Sequence, residues 1–112
     1  MTDRSIVCRF EIVGFHRWVD APDEVKYLRE RHRHKFYFEV KKLVTWTDRE
    51  IEFIGYGEQM KKFIYDYFEP VPGGVEFGTL SCEMIAEILI VEAGCSSACV
   101  YEDNENGGCV EG

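Results

Sequence analysis

The chain has 112 residues, 46% of them hydrophobic and 14% aromatic, and carries a formal charge of −8 at pH 7. That length suits a single domain over residues 1–112, with enough apolar content for a folded core. The acidic balance argues against a nucleic-acid surface, which draws most of its affinity from clustered Lys and Arg. No run approaches the roughly 18 apolar residues of a membrane span, and Met1-Thr2-Asp3-Arg4 lacks a signal peptide's apolar stretch, so a cytoplasmic protein is expected.

Residues 6–16 alternate, with Ile6, Cys8, Phe10, Ile12 and His16 on one face and Arg9 and Glu11 on the other, the pattern of a half-buried strand. A long connection follows over 17–31. Within it Asp20-Ala21-Pro22-Asp23 is a turn that can start a short helical segment, Pro22 being suited to a first helical position. Aromatic and branched residues then predict a second strand over about 32–44. Residues 47–50 read as a turn and 51–54 as a brief extended piece.

From 58 to 69, Met60, Phe63, Ile64 and Tyr67 recur at helical spacing, and Pro70, Pro72, Gly73 and Gly74 end the helix. A second helix is predicted from Ser81, a good N-cap with Glu83 in the first turn, through Met84, Ile85, Ile88 and Leu89 to Gly94. Two strands close the chain, 97–102 and 109–110, joined across 103–108 with Asn106-Gly107 as the hairpin signal. The order ββααββ predicts an α+β fold, a four-stranded antiparallel sheet carrying two helices on one face. Its open edges and uncovered second face favour closure of several copies into a ring through their strands.

His16, His32 and His34 are all the histidines in the chain. Strand side chains alternate, so His32 and His34 share a face while Arg31 and Arg33 point away. Antiparallel pairing of the first two strands would bring His16 to them. Three imidazoles with an open fourth position are the usual ligand set of a catalytic zinc; a solvated surface pair at 32 and 34 is the alternative. The basic residues Lys26, Arg29, Arg31, Arg33 and Lys35 read as a solvated face, or else as a steering field for an anionic small molecule. The cysteines at 8, 82, 95, 99 and 109 contain no Cys-x-x-Cys pair and read as reduced, mostly buried thiols.

Taken together, these features resemble the tunnelling-fold (T-fold) family of 6-pyruvoyl-tetrahydropterin synthase and 6-carboxytetrahydropterin synthase. The family's Phe-x-Ala-Ala-His-Arg is matched by Phe10-Glu11-Ile12-Val13-Gly14-Phe15-His16-Arg17, and its His-Gly-His-x-Tyr by His32-Arg33-His34-Lys35-Phe36. Weaker matches extend across the chain. They are Glu52-Phe53 with Met60-Lys61, then Leu80-Ser81-Cys82-Glu83-Met84-Ile85-Ala86, then Glu102-Asp103 near the C-terminus.

The resemblance implies zinc held by His16, His32 and His34, with Glu102 anchoring a pterin ring and Glu83 as a second substrate contact. A carboxylate suits the anchor because it offers only acceptors. It implies a homo-oligomer, a hexamer as in the family, and lyase or synthase chemistry on a dihydroneopterin triphosphate-like substrate. The alternative is a non-catalytic zinc-containing module that binds a pterin, purine or nucleotide. Two departures stand out. Where the family carries its catalytic Cys this chain reads Tyr27-Leu28-Arg29-Glu30-Arg31, leaving Glu30 or Glu24 as the candidate base; and no fourth histidine exists for the family's Asp-His pair.

Overall fold

Alternation of apolar and polar residues along two long segments produces the hairpin on which everything else is laid. In this computed structural model, which describes residues 3–112, β1 (Arg4–His16) and β2 (His32–Val44) pair antiparallel without a break from Arg4↔Val44 to His16↔His32. Their even-numbered residues face the core: Ile12, Phe36, Phe38 and Val40 are almost wholly buried. The connection between them contains a 3₁₀ segment, Asp23–Arg29, entered from Pro22.

Two α-helices cover that face, α1 (Phe53–Tyr67) against β1 and α2 (Cys82–Val91) against the last two strands, β5 (Ser97–Glu102) and β6 (Asn106–Glu111). Tyr56, Met60 and Ile64 from α1 and Ile85, Ala86 and Leu89 from α2 fill the layer between helices and sheet. Each large apolar side chain buried there contributes about 1.5–3 kcal/mol. Ser81 caps α2 as expected, its hydroxyl accepting from Met84 N at 3.2 Å, and Gly94 at φ +77° turns the chain away beyond it.

The α+β class stands, but the sheet is larger than the four antiparallel strands expected. Among the described residues it has six, in the order β3-β4-β1-β2-β5-β6, where β3 is Glu69–Val71 and β4 is Gly74–Gly78. The Pro-Gly stretch after α1 does end the helix, and it also builds a tight hairpin that turns at Gly73, φ +88°. Pro70 is tolerated because β3 is an edge strand with no further ladder to donate to. β4 then runs parallel to the end of β1, making the sheet mixed. Gly14 permits this packing: a Cβ there would lie 2.3 Å from the Phe77 ring.

Three local expectations are also corrected. Residues 51–54 do not form an extended piece: the Glu52 carboxylate accepts from Ile54 N at 2.6 Å and Gly55 N at 2.9 Å and starts α1 at Phe53. The last hairpin turns at Asp103 and Asn104, φ +53° and +58°, whereas Asn106 and Gly107 lie within β6. That β5–β6 register sets Cys99 directly opposite Cys109, and the two form a disulfide instead of remaining thiols; Cys8, Cys82 and Cys95 are free and buried as read. Among the described residues no helix is long and apolar enough to cross a membrane.

Candidate metal centre

The β1–β2 register places the three histidines together. His16 pairs with His32 at the end of the hairpin, and His34 sits opposite Gly14, two residues along on the same face. The ring centroids are 4.5 Å apart for His16 and His32, 4.9 Å for His32 and His34, and 5.4 Å for His16 and His34. Phe36 closes the floor beneath them, its ring edge-on to both His16 and His34. His16 is buried and the other two are half-buried.

Each ring is oriented by a hydrogen-bond acceptor on its Nδ1 side. His16 Nδ1 donates to the Leu80 carbonyl at 3.0 Å, His32 Nδ1 to the Glu30 carbonyl at 2.8 Å, and His34 Nδ1 to Asp103 Oδ2 at 2.6 Å. A carbonyl or carboxylate can only accept, so Nδ1 carries a proton in all three, and in the neutral rings Nε2 presents a lone pair. The Nε2 atoms are buried, and none has a hydrogen-bond partner among the described residues. Buried polar atoms are rarely left so.

The ligating nitrogens lie within 4.8 Å of one another, so the cluster could hold a metal ion. Bonds of about 2.0–2.1 Å in a tetrahedral site put ligands about 3.3 Å apart, so a modest contraction would suffice. The outer partners match the arrangement in which a metal-bound imidazole donates its other N–H to a carbonyl or carboxylate.

Glu102 comes to the same place from β5, where it pairs with Phe36 and so shares the face of His34. Its Oε2 is 3.0 Å from His16 Nε2 and its Oε1 is 3.4 Å from His34 Nε2. Neither approach lines up as a hydrogen bond. The His16 ring beside it, helped by His34 and His32, holds the Glu102 carboxyl below the usual carboxylate range despite burial. Burial works to lower the His16 pKa, yet Glu102, the Leu80 carbonyl and Glu76 leave it above the ordinary imidazole value.

A cavity of about 410 Å³ opens beside this cluster, with His16, His32 and Glu102 on its wall. Glu83, in the first turn of α2, also lines it and packs against the face of Gly108, where a Cβ would come within 2.5 Å of the Glu83 side chain. Glu30 does not reach the cavity with its carboxylate; its side chain is exposed and its backbone carbonyl serves His32 instead. Glu24 is exposed on the 3₁₀ segment. Arg29 is committed to the Ala21 carbonyl and Asp23, and Arg31 to Glu76 and the face of the Phe15 ring.

Several wall residues escaped the sequence reading. Arg17 and Trp18 follow His16 and border the opening, Trp18 about half exposed. Cys82 lies on the opposite wall, its Sγ 3.9 Å from Glu102 Oε2. Burial, followed by the charges of Glu102 and Glu83, pushes its thiol up to about 12. It is therefore a neutral donor at pH near 7. Only the position of Cys82 just after the Ser81 cap hinted at its place, since helix N-termini often face sites. No protein-family model and no curated protein matches the chain.

Proposed function

We propose that the protein is a zinc-dependent lyase or synthase of the pterin type, related in chemistry to 6-pyruvoyl-tetrahydropterin and 6-carboxytetrahydropterin synthases and acting on a dihydroneopterin triphosphate-like substrate. The observation that carries this reading is the convergence of three buried Nε2 atoms without hydrogen-bond partners among the described residues, with His16 and His32 on the wall of a ligand-sized cavity. Three imidazoles match zinc better than magnesium or calcium, which take oxygen ligands. Bound there, zinc supplies Lewis-acid polarisation of a carbonyl or hydroxyl on the ligand's side chain.

The chain's own residues do the rest. His16, His32 and His34 hold the ion, and Glu102 accepts the N–H donors of an amino-pyrimidine edge. Trp18 offers a flat apolar wall to a heterocycle, and Arg17 places a positive charge at the opening for an anionic tail. Glu83 supplies a second carboxylate on the cavity wall. The exposed Glu30 side chain favours a second reading, a non-catalytic module that keeps metal and ligand without turnover.

Incubating the zinc-loaded protein with dihydroneopterin triphosphate and following the products by chromatography tests the proposal. A new pterin product is expected; binding without turnover would decide for the module. We further propose a homo-oligomer, a T-fold hexamer closed through strand edges, because β3 and β6 leave edges unpaired within the described chain. Sedimentation as a clean monomer at micromolar concentration would defeat that assembly.

A further inference from the structure

The approach of Glu102 to two ring nitrogens fits poorly with hydrogen bonding and well with shared coordination. Its two oxygens lie 3.0 Å and 3.4 Å from His16 Nε2 and His34 Nε2, yet neither aligns with a ring N–H. In the neutral rings the proton sits on Nδ1, toward the Leu80 carbonyl and Asp103, which leaves Nε2 a lone pair. The separations bracket the edge of about 3.3 Å expected between ligands of a tetrahedral zinc.

Among the described residues no other carboxylate comes within 4.0 Å of a histidine Nε2. Asp103 accepts from His34 Nδ1 and from Lys35 N, and Glu83 lies along Gly108. We propose that Glu102 is the fourth ligand of the metal in the ligand-free protein, closing a three-histidine, one-carboxylate site. This rests on the metal-triad reading above and goes beyond it, since that reading leaves the fourth position open.

The consequence is a coupling between ring recognition and metal access. The carboxylate that caps the ion is the same one suited to accept the N–H groups of a heterocycle. A ligand with such a donor edge draws Glu102 off the metal and so frees a coordination position, whereas a simple anion without donors finds the position filled. The occupant class is thus an amidine- or guanidine-like ring edge joined to an oxygen-bearing substituent that can reach the vacated position.

Cobalt substitution of the full chain tests this without any turnover. The wild type is expected to take up one equivalent of Co²⁺ with a tetrahedral visible spectrum that added azide does not change. Glu102→Ala should bind Co²⁺ roughly tenfold or more weakly, by chelator competition, and its spectrum should shift when azide enters the vacated position. Glu102→Gln, with shape preserved, should weaken cobalt binding in the same direction, and far-UV circular dichroism of both variants checks that they fold. A wild-type spectrum that shifts with azide and is shared by Glu102→Ala would overturn the fourth ligand and leave the triad standing. Failure of the wild type to bind stoichiometric cobalt would overturn the triad and the fourth ligand together.

Discussion

His34 shows how one side chain is prepared for its task by a residue the sequence places far away. Its ring stands on β2, but the proton on Nδ1 is fixed by Asp103, 69 positions later, at 2.6 Å. His34 and Lys35 in turn hold the Asp103 carboxyl below the usual range, the His34 hydrogen bond being the larger influence. Such outer partners are worth roughly 10–100-fold in metal affinity when removed. Asp103→Asn keeps a residue that tolerates the left-handed backbone at φ +53° but takes away the charge. On the proposed zinc reading, affinity for the ion measured against a competing chelator should fall by roughly tenfold, with the thermal midpoint of the metal-free protein almost unmoved. Unchanged affinity would remove Asp103 from the metal's support.

The β5–β6 hairpin carries both Glu102 and Asp103, so its stiffness bears directly on the site. Its turn uses positive φ at two successive residues, the geometry that matches strand twist, and Asp103 and Asn104 are side chains that tolerate it. Gly107 is needed elsewhere: a Cβ there would sit 2.0 Å from the Val100 carbonyl oxygen, within the paired ladder. The Cys99–Cys109 bridge, spanning ten positions, locks the same pair of strands. Loop closure of that length stabilises by about 2–3 kcal/mol. Replacing both residues by Ser should lower the unfolding free energy in urea by about that amount, with a matching loss from chemical reduction of the wild type. Equal stability of bridged and unbridged protein would show that the hairpin needs no staple.

Seen across the molecule, the helix–sheet interface hides groups that resist ionisation. Tyr56 bonds to Cys95, and burial followed by that contact raises its pKa far above the ordinary tyrosine value. Burial likewise raises the Cys8 and Cys95 thiols above their ordinary value of 9.0. Raised acidic groups stay protonated in the folded chain while the unfolded chain releases its protons, so the folded state binds more protons at high pH. Stability is then fully present below the unfolded pKa values and declines as pH rises beyond about 9. Urea midpoints at a series of pH values from about 7 to about 11 should fall on the alkaline side. Tyr56→Phe should make that fall shallower. A flat profile up to about pH 11 would contradict the burial of these groups.

Periodicity made the long elements readable. β1, β2, the cap at Ser81 and the apolar stripe of α2 follow from alternation, helical spacing and side-chain chemistry, each a local property of consecutive residues. The same alternation put His16, His32 and His34 on one face. By contrast β3 and β4 are too short to show a period, and α1 starts early through a carboxylate cap that an extended reading of 51–54 overlooked.

The histidine triad was legible because its members lie on adjacent strands of one hairpin, where register follows from the chain itself. Glu102 was reached only through the family resemblance, and the placing of Asp103, Cys82 and Trp18 around the triad was not legible, nor was the Cys99–Cys109 bond. Those depend on β2 pairing with β5 and on α2 lying over the sheet. Such partnerships join residues far apart in sequence and are chosen by how the whole core packs, so no local pattern encodes them.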